Sequence, residues 1–263
     1  MEQTEERLLA QMEESLQVME KAVESGMDPR LRSTSGLTGG DAWKMMKYGK
    51  TGGITGSFMT GAMARALAVS EYNAAMGKIV AAPTAGSCGI MPGCLVSVMK
   101  ERGIAREKIL RGMFTAAGFG MVIAKRASVS GAQGGCQAEC GSAAAMTAAA
   151  LTEIMGGTPQ QAADACAMAL KNQLGLVCDP VAGLVEIPCI KRNVAGIMIA
   201  FSSADMALAG IVSKIPVDEV VDAMKEVGDS LPCALKETAQ GGLANTPTAR
   251  RMRESVFGTQ NAK

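Results

Sequence analysis

Apolar side chains recur at three- and four-residue spacing near the start of the chain, at Leu8, Leu9, Met12, Leu16 and Met19. This spacing places them on one face of an α-helix, so the sequence predicts an amphipathic helix from Glu5 to roughly Gly26. Gly26 and Pro29 follow the last apolar position of this pattern, and both are residues that end helices.

The remaining apolar stretches predict further helices separated by glycine-rich breaks. One contains Trp43, Met45 and Met46, and the others span about 57–72, 93–102, 105–124, 139–155, 159–173, 193–213 and 217–228. Val/Ile runs at alternate positions are nearly absent, so no strand is predicted. We expect an all-α fold: one compact multi-helix domain over residues 1–263, with a loosely ordered, mostly polar tail over roughly 245–263.

The composition agrees with helices that pack closely through small side chains. Hydrophobic residues make up 48% of the chain but aromatic ones only 3%, whereas there are 31 glycines and 20 methionines. Ala, Met, Leu, Val and Gly must therefore build the core. The 26 basic and 25 acidic side chains are interspersed and give a net charge of +1. This balance argues against a nucleic-acid groove and against a polybasic membrane patch.

The sequence does not predict a membrane segment or an export signal. Its start, MEQTEERLLAQMEESL, is charged and amphipathic, unlike a signal or transit peptide. The apolar stretch Gly112–Ala124 is too short for a span, and Val194–Val212 is interrupted by Ser202, Ser203 and Asp205. Eight cysteines in such a chain are expected to be thiols or metal ligands, and the cytoplasm is the default compartment.

Three cysteines lie in turns flanked by glycine or proline: Cys136 in GGCQAE, Cys178 in GLVCDP and Cys189 in EIPCIKRN. Their separations of 42 and 11 residues do not fit zinc patterns, which place cysteines two to four residues apart. Thiolates that converge on one point are the ligands that iron–sulfur clusters require. Three ligands would leave one iron of a four-iron cluster open, and an open iron is a Lewis acid.

The other cysteines have simpler interpretations. Cys94 and Cys166 lie on apolar helical stretches, where a free cysteine behaves as a small apolar residue. Cys88 lies in a loop rich in helix breakers, and Cys140 lies one helical turn beyond Cys136. Both therefore remain alternatives to a member of the first trio.

Two loops are candidates for binding a small polar substrate. In APTAGSCGIMPG, residues 82–93, glycines such as Gly86 free the backbone to approach an anion, and Thr84 and Ser87 add hydroxyl donors. In STSGLTGGD, residues 33–41, backbone amides up to Gly40 and the carboxylate of Asp41 could hold a carboxylate or an ammonium group. Either loop could instead be an interhelical turn, and neither matches a P-loop or a dinucleotide fingerprint.

Six sequence motifs, which include the three cysteines and the two loops, resemble those of a known family. They are SGLTGGDA at 35–42, NAAMG at 73–77, APTAGSCGIMPG at 82–93, SVSGAQGGCQAECGSA at 128–143, LGLVCDPVAGLVEIPCIKRN at 174–193 and KETAQGGLA at 236–244. Together they resemble the α-subunit of the iron–sulfur L-serine dehydratases, bacterial enzymes built as α/β pairs. The resemblance covers most of the chain, and the longest motifs are very specific.

The resemblance implies an all-α catalytic subunit that holds a 4Fe–4S cluster on Cys136, Cys178 and Cys189, without pyridoxal phosphate. The implied reaction converts L-serine to pyruvate and ammonia, with L-serine and a β-subunit as partners. Single-chain relatives end in a cysteine near the GGLA motif, whereas this chain continues NTPTARRMRESVFGTQNAK. α-Subunits of this family also usually have more residues before the first helix, so we expect an N-terminal part to be either missing or supplied by the partner.

The chain contains no histidine, so its chemistry cannot use an internal imidazole base. The resemblance implies that a β-subunit histidine faces the cluster, and we expect the active site to be completed across that interface. Within the chain, Glu139, Lys171 and Lys191 are the candidate bases nearest the cluster motifs. The alternative functions are a cluster-bearing redox or sensor protein, and a related lyase acting on L-cysteine or L-threonine.

Overall fold

The computed structural model describes residues 4–258, which fold into eleven α-helices with no β-strand among them. The helices are α1 (Glu5–Gly26), α2 (Asp41–Gly49), α3 (Gly56–Ala74), α4 (Ile90–Arg102), α5 (Arg106–Arg126), α6 (Gly131–Gly134), α7 (Ser142–Ile154), α8 (Pro159–Lys171), α9 (Cys189–Leu208), α10 (Val217–Ser230) and α11 (Pro247–Phe257). The prediction of an all-α fold is confirmed.

The alanine-rich helix α7 lies at the centre of the fold. Its sequence, SAAAMTAAALTEI, is buried at every position except Glu153, and it packs against α4, α5, α8 and α9. Small side chains on all faces allow four helices to approach one axis, which explains a core with few aromatic rings. A helix that is apolar all round is expected in such a buried position.

The N-terminal helix packs against α3 as its apolar face predicts. Leu16 and Met19 are buried, and α1 ends at Gly26. A Cβ atom at Gly26 would collide with the backbone carbonyl of Ala68 in α3, so the close approach of the two helices requires glycine there.

Two predicted helix boundaries differ from the structure near the cysteines. The predicted helix 193–213 begins earlier, so that Cys189 is the first residue of α9. The predicted helix 139–155 is divided into a π-helical turn, Gln137–Gly141, and α7. Such π-helical turns are frequent at functional sites. Cys136 and Cys189 therefore adjoin helical turns.

The segment predicted to be a loosely ordered tail contains an α-helix. Thr246 caps α11 by accepting a hydrogen bond from the amide of Ala249, and Pro247 occupies the first turn. Ala249 is buried, and α11 packs against the turn Val181–Gly183. This helix was not predicted because its composition is polar, although its N-cap residue and its first-turn proline are typical of a helix start. Residues 259–263 of the predicted tail lie outside the described part of the chain.

Within the described part of the chain, every helix is too short or too polar to cross a lipid bilayer. The Ala85–Ser87 turn, the Gln137–Gly141 turn and the start of α9 contact one another at one end of the fold. These three elements contain or adjoin many of the residues that the sequence analysis selected.

Candidate metal and substrate site

The three thiols of the predicted trio lie in one buried neighbourhood. Cys136 precedes the π-helical turn, Cys178 lies in an extended segment, and Cys189 begins α9. Burial, and then the charge of the Cys136 sulfur, raises the pKa of Cys189 to about 12. The same two causes raise the pKa of Cys178. Segments far apart in sequence thus bring three sulfurs within electrostatic reach of each other.

A fourth thiol, that of Cys140, belongs to the same neighbourhood. A hydrogen bond with the Cys140 thiol lowers the pKa of Cys136, while the pKa of Cys140 is raised by the same bond and by burial. The charge of the Cys189 sulfur also raises the pKa of Cys140. Cys140, an alternative to a member of the trio, therefore lies close to the three thiols.

The remaining buried cysteines lie apart from this group. Burial alone raises the pKa values of Cys94 and Cys166, and neither pKa is affected by another thiol. Cys88 packs with a smaller apolar cluster that includes Val69, whose carbonyl oxygen lies 4.0 Å from its sulfur.

The Glu139 carboxylate links the thiols to the loop 82–93. Thr84 Oγ1 donates a hydrogen bond of 2.5 Å to Glu139 Oε1 and lies 3.1 Å from Ser87 Oγ. Cys178 Sγ lies 4.0 Å from Glu139 Oε2. Burial raises the pKa of Glu139, whereas the Thr84 hydrogen bond acts in the opposite direction. Of the predicted substrate-binding residues, Thr84, Gly86 and Ser87 therefore lie beside this carboxylate.

Gly131 provides the space in which these groups meet. A Cβ atom on Gly131 would lie 2.6 Å from Glu139 Oε2, 2.9 Å from Cys178 Sγ and 3.2 Å from Glu237 Oε2. The ligand atoms of Glu139, Cys178 and Glu237 all lie within 4.8 Å of one another. The backbone of Gly131 thus borders a cradle of one sulfur and two carboxylates, which any larger residue would fill.

Arg192 is the largely buried cation of this neighbourhood. Its guanidinium donates hydrogen bonds of 2.8 Å to the carbonyl oxygen of Val177 and to Asp179 Oδ1. It also lowers the pKa of Cys136, after the larger effect of the Cys140 thiol. Because Arg192 lies one helical turn after Cys189, it ties the start of α9 to the segment that contains Cys178.

Asn193 joins the loop 82–93 to α9. Its Nδ2 donates hydrogen bonds of 2.8 Å to the carbonyl oxygens of Gly86 and Cys189, and its Oδ1 accepts one of 2.8 Å from the amide of Gly89. The side chain is buried, so these three bonds position the loop against the start of α9.

Replacement of Asn193 by alanine is expected to destabilise the protein by about 2–4 kcal/mol, because buried backbone groups of Gly86 and Gly89 would lose their partner. Urea unfolding followed by circular dichroism measures the change. Asn245→Ala is the control: Asn245 is exposed, and its loss should change stability by less than about 0.5 kcal/mol. Equal effects of the two substitutions would contradict this role for Asn193.

Of the other predicted substrate-binding residues, Asp41 lines a different cavity, and Gly40 precedes it as the N-cap residue of α2. Asp41 Oδ2 lies 2.6 Å from Lys191 Nζ, and Asp41 Oδ1 lies 3.0 Å from Lys44 Nζ. None of the contacts among described residues joins Asp41 to a thiol or to Glu139. The cavity has a volume of about 450 Å³ and is lined by Arg32, Gly36, Leu37, Thr38, Gly39, Asp41, Lys44, Ile187, Pro188 and Lys191. The structure therefore does not bring the Asp41 carboxylate together with the thiols.

The loop 33–41 nevertheless contacts the segment that precedes Cys189. Ser35 and Thr38 donate hydrogen bonds of 2.7 and 2.6 Å to the buried carboxylate of Glu186. Through these contacts, the loop holds the turn that leads into α9.

Of the three candidate bases, Glu139 alone lies beside the thiols. Lys171 Nζ donates a hydrogen bond of 2.8 Å to Ser213 Oγ, and Lys191 is paired with Asp41. Burial and the nearby charge of Glu237 both raise the pKa of Glu139, which is the direction that strengthens a carboxylate as a base.

Glu237 was missed by the sequence analysis. Its motif, KETAQGGLA, indicates only a helix end followed by a glycine turn. In the structure, the amide of Glu237 donates a hydrogen bond of 2.7 Å to the carbonyl oxygen of Cys178. No local pattern could predict this pairing, because it joins residues that are far apart in sequence.

The donor set fits a thiolate-bound metal group. Buried thiols with raised pKa values are held in the neutral form by the protein alone, whereas a cationic group between them would favour the thiolates. Soft sulfur ligands are typical of iron–sulfur clusters, and the carboxylates of Glu139 and Glu237 lie within 4.8 Å of the Cys178 sulfur.

Comparisons with known proteins identify the family to which the chain is similar. A family model described as "Serine dehydratase alpha chain" matches residues 1–244. The chain is 54% identical over 258 residues to a probable L-serine dehydratase, alpha chain, of Bacillus subtilis, covering 98% of this chain and 86% of that protein. It is 48% identical over 255 residues to the L-serine dehydratase, alpha chain, of Peptoniphilus asaccharolyticus, covering 97% and 87%.

A longer relative matches in part. Identity to the L-serine dehydratase of Streptomyces coelicolor is 45% over 181 residues, which is 68% of this chain and 40% of that protein. The resemblance inferred from the motifs is confirmed by the family match and by these relatives. The chain belongs to the serine dehydratase alpha chain family.

Proposed function

We propose that this chain is the α-subunit of an enzyme that converts L-serine to pyruvate and ammonia with a 4Fe–4S cluster. The observation that carries the proposal is the meeting of Cys136, Cys178 and Cys189 beside the Glu139 carboxylate. The relatives that support serine dehydration are themselves named L-serine dehydratases.

In this proposal, Cys136, Cys178 and Cys189 hold the cluster. When bound, a 4Fe–4S cluster with three protein ligands supplies a Lewis acid at its fourth iron, which can polarise a hydroxyl leaving group and orient a carboxylate. Arg192 and Asp179 position the Cys178 segment against the start of α9. Cys140 is a neighbour of the cluster ligands and not a ligand itself.

The loop 82–93 supplies polar contacts to the substrate. Thr84 and Ser87 present hydroxyl groups, and the backbone of Gly86 lies against the Glu139 carboxylate. Asn193 holds this loop in place and thereby fixes the hydroxyl groups relative to Cys189. Gly40 and Asp41 act indirectly, because their loop binds Glu186 in the turn before α9.

The reaction requires loss of the Cα proton and of the β-hydroxyl of L-serine. Water is the first product, and the remaining aminoacrylate tautomerises to an imine that water hydrolyses to pyruvate and ammonia. Carbon, nitrogen and electrons balance without an oxidant. We assign the proton-accepting base to a histidine of the β-subunit, because a histidine needs little change in pKa to act near neutral pH.

All eight cysteines are free thiols in the structure. Free thiols are typical of a reducing compartment, which favours the cytoplasm as the place of the proposed reaction.

The proposal is tested by anaerobic reconstitution of the chain with iron and sulfide, followed by addition of the β-subunit. We expect pyruvate to form from L-serine, and activity to decay in air because an open iron is accessible to oxygen. Iron content, the visible spectrum and pyruvate release are the measurements. L-threonine and L-cysteine, assayed under the same conditions, separate the related lyase activities. Undiminished activity of the iron-free enzyme in air would contradict the cluster mechanism.

A further inference from the structure

The segment 235–243 is bound closely to the segment that contains Cys178. The amide of Cys178 donates a hydrogen bond of 2.9 Å to the carbonyl oxygen of Leu235, and the amide of Glu237 donates one of 2.7 Å to the carbonyl oxygen of Cys178. The amide of Leu243 donates a hydrogen bond of 2.8 Å to Asp179 Oδ2. The backbone on both sides of Glu237 is therefore fixed relative to the thiol site.

Glu237 has a left-handed backbone, with φ of 62°. For a residue with a side chain, this conformation costs of the order of 1 kcal/mol relative to a right-handed one, and glycine would adopt it more readily. The conformation directs a carboxylate oxygen to within 4.8 Å of both Cys178 Sγ and a Glu139 oxygen. The position of the Glu237 backbone thus brings its carboxylate to the thiol site.

The carboxylates of this site have little cationic compensation from the described residues. The charge of Glu237 raises the pKa of Glu139, after the larger effect of burial, so the two groups repel each other. Arg192 is the nearby cation, but its guanidinium already donates to Asp179 and to the carbonyl oxygen of Val177. Glu139 accepts a hydrogen bond from the neutral hydroxyl of Thr84. A cationic group of a ligand would balance the charge of the two carboxylates.

Glu237 differs from Glu139 in its exposure. Glu139 is buried, whereas Glu237 is exposed and lies at the opening of the cradle beside Gly131. A ligand that enters from solvent can reach the Glu237 carboxylate without displacing a hydrogen bond of the protein.

We propose that Glu237 is a specificity-determining residue that binds the α-ammonium group of the substrate. This inference rests on the proposed function, which supplies a 2-amino acid as ligand. Glu237 pairs with the ammonium group, while Thr84 and Ser87 lie on the other side of the Glu139 carboxylate and contact the remaining polar groups. The site therefore selects 2-amino-3-hydroxy acids over 3-hydroxy acids that lack the amino group.

The test compares L-serine with 3-hydroxypropionate, which is the same molecule without the amino group. Both are titrated calorimetrically into the anaerobically reconstituted full chain, as wild type, Glu237→Gln and the control Glu226→Gln. Glu226 is exposed on α10, and its substitution should change neither affinity. Glutamine keeps the shape of the side chain and removes its charge. Iron content and the visible spectrum of each protein report whether the cluster is intact.

We expect Glu237→Gln to weaken L-serine binding about tenfold and to leave 3-hydroxypropionate binding unchanged, since a hydrogen bond to a charged group is removed only for the amino acid. Glu237→Gly, which relieves the left-handed backbone, should show the same selective loss if the glutamine protein folds poorly. A similar loss for both ligands, or for neither, would overturn the assignment.

Two further outcomes separate this inference from the proposed function. Loss of iron from Glu237→Gln would make Glu237 a metal ligand and overturn its role in substrate binding, while leaving the proposed reaction in place. A wild-type chain that holds iron but binds neither ligand would overturn the proposed function, and the role of Glu237 with it.

Discussion

Replacing Cys136, Cys178 or Cys189 by serine is expected to abolish the brown iron–sulfur absorbance of the reconstituted protein. A serine hydroxyl has nearly the shape of a thiol but is a poor ligand for a soft cluster, so two remaining thiolates would not retain it. Mutation of residues that merely support metal ligands already lowers metal affinity about 10–100-fold. Loss of a ligand itself should therefore lower the iron and sulfide content of the protein at least about tenfold. Serine dehydration should fall with it.

The matched controls are Cys94 and Cys166, two buried cysteines whose pKa values are not affected by the other thiols. Cys94→Ala and Cys166→Ala remove thiols that pack among apolar side chains, and both proteins should retain full iron content. Global stability is measured alongside, so that loss of iron is not confused with unfolding.

Cys140 provides the most informative comparison, because its thiol is hydrogen-bonded to the Cys136 thiol and lies near Cys189. We expect Cys140→Ala to keep the absorbance, with an altered spectrum at most. If Cys140→Ala lost the cluster while one of the trio substitutions kept it, the assignment of the three ligands would be wrong.

The fold class could be predicted because helical periodicity is a local property. The apolar face of α1 and the small side chains of α7 are both visible within one window of sequence. The π-helical turn at Gln137–Gly141 could not be predicted in this way, since it leads directly into α7 at Ser142. The helix α11 was missed because its composition is polar, although Thr246 and Pro247 marked its start.

The proximity of Thr84, Gly86 and Ser87 to one another was predictable, because the three residues belong to one loop. That this loop lies beside Glu139 was not, because Glu139 belongs to a different motif, 55 residues after Thr84. The surroundings of Asp41 and Glu237 also depend on contacts between distant segments. Asp41 is neutralised by Lys191 and Lys44, and Glu237 is placed by its pairing with Cys178. The Asp41–Lys44 pair follows from the three-residue spacing on α2, whereas the Asp41–Lys191 and Glu237–Cys178 contacts do not follow from local spacing.

The position of Glu139 sharpens the question of which group removes the Cα proton. Its carboxylate lies 4.0 Å from Cys178 Sγ, and burial raises its pKa. Its Oε1 atom, however, accepts the hydrogen bond of Thr84, which stabilises the charged form and makes it a weaker base. Lys171 is hydrogen-bonded to Ser213 and Lys191 is paired with Asp41, and neither lysine lies beside the thiols. A base from the β-subunit therefore remains the proposal.

The reconstituted chain alone is accordingly expected to turn over L-serine about 10²–10⁴-fold more slowly than the α/β pair, the range that a general base contributes. Pyruvate release is measured anaerobically with equal iron content in both samples. Replacing the active-site histidine of the β-subunit by alanine should give the rate of the chain alone without changing the cluster spectrum. Glu139→Gln, tested in parallel, should lower activity less than this histidine substitution.

Turnover by the isolated chain at the rate of the pair would place the base within these 263 residues and make Glu139 the first candidate. A comparison of the pH dependence of the wild type and of Glu139→Gln then distinguishes the two bases. A carboxylate acts as a base only when ionised, so activity supported by Glu139 would fall as the pH falls through its raised pKa. The loss should disappear in Glu139→Gln, whose residual activity would no longer depend on that ionisation. If the activity of the α/β pair instead depends on the ionisation of the β-subunit histidine, Glu139 is not the base. Its role is then that of a neighbour of the cluster that accepts the hydrogen bond of the Thr84 hydroxyl.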